Sequence, residues 1–107
     1  MAKFMVLGKY SPSGLEGVRR DGYASRTDGL RKWADSVGGN IECMYFMPSA
    51  EWDYVAIGDM DSDALFAIGS QGAASGAFER FHFQELRTAD EADRLVSRPV
   101  DWKPPSR

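Results

Sequence analysis

The sequence predicts an α+β fold in which a four-stranded antiparallel sheet carries its helices on one face. Three observations lead there. Two apolar, strand-like stretches at 41–47 and 52–60 are separated only by a short Pro48-Ser49-Ala50-Glu51 connection. Further strand-like runs at 3–10 and 78–86 flank them, with helical periodicity in the intervals between outer and inner strands. The chain has 107 residues, 43% of them hydrophobic, which is one domain's worth of sequence with a small core.

The elements follow in order. In residues 3–10, Phe4 and Val6 fall on one face while Met5 and Leu7 fall on the other, as in a strand buried on both sides. Ser11-Pro12 then starts a helix, with Ser11 accepting from orphan amides and Pro12 pre-set for the first helical position. Leu30, Trp33, Ala34 and Val37 recur at helical spacing, and Leu15, Val18 and Gly22 continue a thinner stripe upstream. Gly14, Gly17, Gly22 and Gly29 each weaken a helix by roughly 1 kcal/mol against alanine, so a kink or split is expected near Gly22. Gly38-Gly39 stops the helix.

After the central strand pair, Asp59-Met60-Asp61-Ser62-Asp63 precedes Leu65, Ile68, Gly69 and Gly72 at helical spacing, and Gly76 is the exit. The Gly, Ala and Ser content of this second helix permits close backbone approach. The last strand runs over 78–86. Thr88 and Glu91 form a capping box, so a third helix is expected over 89–97, ended by Pro99. Residues 1–97 thus make a single domain, and 98–107 a Pro-rich tail in which Val100 and Trp102 are anchors for a neighbouring surface.

Strand, helix, strand, strand, helix, strand is the order of a ferredoxin-like fold. Alternation counted straight along the strands gives one set of Phe4, Val6, Cys43, Tyr45, Met47, Trp52, Tyr54, Phe78 and His82. The other set, subject to register, is Met5, Leu7, Met44, Phe46, Val55, Ile57, Phe81 and Phe83. Both are too apolar for water, and the helices cover only one. A homodimer through the other sheet face is therefore expected, with higher assembly open.

A net charge of −3 with interspersed signs gives no field for a phosphate backbone or an anionic membrane, so nucleic-acid and membrane partners are not expected. No apolar run approaches the ~20 residues of a membrane span, and the N-terminal residues enter a strand pattern instead of a leader, which points to the cytoplasm. Cys43 is the single cysteine, so neither an intrachain disulfide nor a cysteine-based zinc site is available. No cofactor or metal is expected.

The run Leu7-Gly8-Lys9-Tyr10-Ser11-Pro12-Ser13-Gly14-Leu15, then Val37-Gly38-Gly39, Tyr45, Glu51-Trp52-Asp53-Tyr54-Val55-Ala56-Ile57 and Ser75-Gly76 resembles the GYD-domain family across nearly the whole chain. The namesake signature is partly kept. Trp52 stands where tyrosine is expected, Ala50 or Glu51 where glycine is expected, and Asp53 matches. The resemblance implies a dimeric α/β barrel of the ferredoxin-like superfamily, and carries over no catalytic set.

His82 and Asp53 are the candidate acid/base residues. His82, the single histidine, lies mid-strand between Phe81 and Phe83 with Arg80 and Gln84 on its own side. The alternative is a plain edge-strand residue. Asp53 opens a strand between two aromatics, where structural hydrogen bonding competes with ligand contact. Tyr10, Tyr45, Trp52, Tyr54, Arg80 and His82 are the ligand-binding candidates, the aromatics offering apolar walls with polar tips, or equally a dimer core. Asp59-x-Asp61-x-Asp63 fails as a calcium loop, since Ala64 and Ser70 occupy the positions that need glycine and glutamate, and it reads as helix capping. Gly69-Ser70-Gln71-Gly72 lacks the Lys-Ser/Thr of a P-loop and reads as tight packing. Cys43 reads as a buried, inert thiol.

Two functions follow. One is a homodimeric barrel holding a small apolar or aromatic ligand in a cleft beside the sheet. The other, by analogy with other dimeric α/β barrels, is a cofactor-independent monooxygenase or isomerase acting on a small aromatic compound.

Overall fold

The computed structural model describes residues 1–47, 49 and 51–106. Pro48 and Ala50 of the predicted connection and Arg107 of the predicted tail lie outside the described residues. The elements are β1 (Ala2–Tyr10), α1 (Pro12–Asp21), α2 (Tyr23–Ser36), β2 (Asn40–Phe46), β3 (Tyr54–Met60), α3 (Ser62–Ser75), β4 (Phe78–Leu86) and α4 (Ala89–Val96). They form an α+β, ferredoxin-like fold with one antiparallel sheet in the order β2-β3-β1-β4.

The local signals act where the sequence places them. Ser11 Oγ accepts from the Gly14 amide at 3.1 Å and Pro12 opens α1. The first long helix splits at Gly22, whose φ of +96° a side chain would strain, and whose amide still closes on Val18 O. Asp61 caps α3 by accepting from the Ala64 amide at 2.7 Å, and Gly76, left-handed at φ +75°, ends it. The Thr88/Glu91 capping box is complete at the start of α4, and its hydrogen bonds from Thr88 hold the Glu91 carboxyl below the usual range.

Strand β3 begins at Tyr54, two residues later than the sequence pattern predicts. The preceding residues are used to close the hairpin end: the Asp53 amide donates to Gly8 O at 2.8 Å, and Asp53 O accepts from the Met47 amide at 2.7 Å.

The helices cover the face that carries Phe4, Val6, Gly8 and Tyr10 from β1 and Tyr54, Ala56, Gly58 and Met60 from β3. Alternation within each strand holds there, but the grouping across strands differs from the straight count. Met44, Phe46, Phe81 and Phe83 join Phe4, Val6, Tyr54 and Phe78, whereas Cys43, Tyr45 and His82 share the far face with Met5, Leu7, Val55 and Ile57. Two irregularities account for part of this. Pairing jumps from Ile41 to Cys43 on β2, and from Arg80 to Phe78 on β4, so Ile41 and Met44, and likewise Phe78 and Phe81, sit three apart on one face.

Two clusters form the core. Ala34, Met60, Ala64, Leu65 and Ile68 join α2 and α3 to the sheet, while Tyr10, Val18, Tyr54 and Ala56 lie under α1 and α2. Glycines allow this spacing. A Cβ on Gly8 would stand 2.2 Å from the Tyr54 ring, and one on Gly14 would stand 2.1 Å from Ala77 O. The C-terminal arm is different. No residue of α4 is buried, and Val96, Val100 and Trp102 are exposed. A radius of gyration of 16.6 Å, against roughly 13 Å for a compact domain of this length, fits an arm standing away from the body. Among the described residues, no helix is long and apolar enough to cross a membrane.

Candidate functional site

A cleft of about 680 Å³ opens between α1, α2 and α3 on the covered face. Its position follows from three placements. Ser11 ties the start of α1 to the turn after α3, its Oγ donating to Gly76 O at 2.7 Å and its amide to Ala77 O at 2.9 Å. The break at Gly22 lets α2 leave the line of α1, so the two helices flank the opening instead of sealing it. Trp33 Nε1 donates to Gln71 Oε1 at 2.6 Å and bridges α2 to α3 across the inner end.

The floor is aromatic. Tyr10 stacks on Phe78 with ring centroids 5.4 Å apart and meets Tyr54 at 5.5 Å, while Phe46 and Tyr23 continue the cluster outward. Among the described residues, neither the Tyr10 nor the Tyr54 hydroxyl has a hydrogen-bond partner, although both residues line the cleft. Burial pushes the Tyr10 hydroxyl up to about 12, and it pushes Tyr54 up as well; Arg26 opposes the shift in both cases. Both phenols are therefore neutral donors at physiological pH. Beneath the floor, the core keeps a void of about 30 Å³ that shares Leu30, Trp33, Tyr54, Gly72 and Phe78 with the cleft. It is roughly the size of one water but lined by apolar side chains, so it offers no set of polar partners to hold one.

The six predicted ligand contacts divide between the two faces. Tyr10 and Tyr54 form the cleft floor. Tyr45 and His82 stand exposed on the far side of the sheet, opposite Val55 and Leu7 in register. His82 Nε2 lies 3.3 Å from Gln84 Oε1. Arg80, paired with Lys9 on that side, places its guanidinium 5.1 Å over the Trp52 ring and donates to Glu51 O at 2.7 Å.

Asp53 is 3% exposed and has both carboxylate oxygens engaged. Oδ2 accepts from the Tyr10 amide at 2.9 Å, and Oδ1 lies 3.2 Å from Lys9 Nζ. This clamp fixes the end of β1, and hence Tyr10, against the start of β3. The carboxylate holds the cleft's floor in place from the sheet end.

Sequence reasoning did not single out Arg26, which lines the cleft mouth on α2. A signal for it exists. Arg26 precedes Leu30 by four residues and Trp33 by seven, so it heads the apolar stripe of its own helix. A Cβ on Gly29 would stand 2.6 Å from Arg26 Nη2, so the glycine leaves room for the guanidinium to fold back along α2.

Compared with known proteins, the chain matches no family model and no curated protein.

Proposed function

We propose that this protein is a homodimer whose subunits each hold a small apolar or aromatic molecule in the cleft under the helices. The observation that carries this reading is the cleft itself: an aromatic floor of Tyr10, Tyr54 and Phe78 with two uncommitted hydroxyls, above an apolar void. Such a site has the mixture of apolar wall and sparse polar groups that small-molecule binding needs. The dimer rests on the uncovered face. Met5, Leu7, Cys43, Val55 and Ile57 form a half-exposed apolar patch there, and association about a two-fold axis removes it from water. The resemblance to the GYD-domain family, through residues such as Trp52-Asp53-Tyr54, agrees with a dimeric α/β barrel. A cytoplasmic location belongs to the same reading.

The enzymatic alternative needs an acid or base beside the bound molecule. His82 lies across the sheet from the cleft, and Asp53 is engaged by Lys9 and the Tyr10 amide. That arrangement favours binding over turnover.

Native mass spectrometry of the purified protein tests the proposal. The expected species has twice the 11.9 kDa chain mass and releases a small molecule on collisional activation. A ligand-free monomer at micromolar concentration would overturn it.

A further inference from the structure

We infer that the cleft selects small apolar or aromatic carboxylates, with the carboxylate held by Arg26 and the Tyr10 and Tyr54 hydroxyls and the apolar body lying over Phe78. This inference rests on the ligand-binding reading above and specifies its chemistry.

The charges around the cleft carry the argument. Its charged lining residues are Arg20, Asp21, Arg26 and Lys32. Arg20 Nε lies 3.2 Å from Asp21 Oδ1, so these two largely cancel. Among the described residues, Arg26 and Lys32 have no carboxylate partner, which leaves the mouth cationic in a chain whose net charge is −3. Gly29 gives the guanidinium space to lie along α2, and its field reaches both tyrosines, where it opposes the effect of burial.

The donors are complementary to one ligand class. A guanidinium and two neutral phenols present N–H and O–H groups and no negative charge, which suits a carboxylate. A neutral apolar molecule would cover the aromatic floor but leave these donors without an anionic partner. A bare inorganic anion would meet the donors and leave Tyr54, Phe78 and Trp33 uncovered. Only an anion with an apolar body uses both parts of the cleft.

Isothermal titration calorimetry on the intact protein decides the matter, with octanoate and phenylacetate as probes, octanol and 2-phenylethanol as neutral counterparts, and inorganic phosphate as a bare anion. The expected result is that each carboxylate binds about ten-fold or more tightly than the alcohol of the same body, and that phosphate binds more weakly than either carboxylate. Arg26→Gln should abolish that preference, with circular dichroism reporting an intact fold. Arg26→Lys should retain most of it. Equal binding of carboxylates and alcohols, or an unchanged preference in Arg26→Gln, overturns the carboxylate inference and leaves the cleft reading standing. Phosphate matching the carboxylates overturns the need for an apolar body. Failure of every organic probe to bind overturns both readings.

Discussion

The two faces of this sheet are built from similar residues and end in different states. On the covered face, Tyr54 and Ala56 are 3% and 1% exposed, packed on the side of the sheet that carries α1, α2 and α3. One residue along the strand, Val55 and Ile57 are only half-buried, and α4 supplies no buried residue to cover them. Apolar content therefore does not decide which face is the core of the chain. The positions of close approach do: Gly8 admits the Tyr54 ring, and Gly69 and Gly72 let α3 settle on Phe83, Phe81 and Trp33. The far face has charged residues around its apolar centre, with Lys3 paired to Glu42 and Asp59, and Lys9 to Asp53. It resembles an interface with a polar rim.

Adjacent substitutions on β3 provide the strongest contrast. Ala56→Asp puts a carboxylate into the closed core and should unfold the protein at 25 °C, as read by circular dichroism. Ile57→Asp should leave the fold intact and weaken self-association by about 100-fold or more in sedimentation velocity. Undiminished self-association of Ile57→Asp would remove the distinction between the faces.

Asp53 links the two faces at the sheet end. Asp53→Ala strands the Tyr10 amide and releases Lys9, and it should lower unfolding free energy by about 2 kcal/mol in urea titrations. A change within error would show that the clamp is dispensable.

The buried tyrosines give the covered face a pH signature. Burial raises the folded-state pKa of Tyr10 to about 12 and raises that of Tyr54, against an unfolded value of 10.0. Their contribution is fully present below pH 10 and is lost as pH rises from 10 through the folded values, because the unfolded chain gives up its protons first. Thermal unfolding midpoints should fall over that window, and Tyr54→Phe should flatten the fall.

The smallest effect on stability is expected inside the cleft. Gly17 lines it, and a Cβ there would meet only the Arg20 guanidinium, at 3.6 Å. Gly17→Leu should shift stability by less than about 1 kcal/mol, since gained helix propensity offsets lost freedom, while displacing bound ligand. Unchanged ligand affinity in calorimetry would place binding elsewhere.

Much of the fold was legible because its signals are local. Ser11-Pro12, Gly22, Asp61, Gly76 and Thr88 with Glu91 each act on backbone groups within a few residues. The assignment of faces was less legible, because an added residue, Glu42 between Ile41 and Cys43 on β2 or Glu79 opposite Lys9/Tyr10 on β4, changes parity without any mark in composition. The cleft was half legible. Tyr10 and Tyr54 stand out as aromatics with polar tips, but their separation from Tyr45, Trp52, Arg80 and His82 depends on sheet order. Arg26 could be noticed only by asking why a cation heads an apolar stripe.

Cys43 lies half-buried on the uncovered face, opposite Ile57, and its thiol reports on that face directly. The rate of Cys43 modification by a disulfide reagent, measured across a dilution series, is thus the most direct test of the claim that a second subunit covers it. Modification should be slow at micromolar concentration, accelerate on dilution, and be fast at all concentrations in Ile57→Asp. Fast modification of the unsubstituted protein, independent of concentration, would contradict that claim.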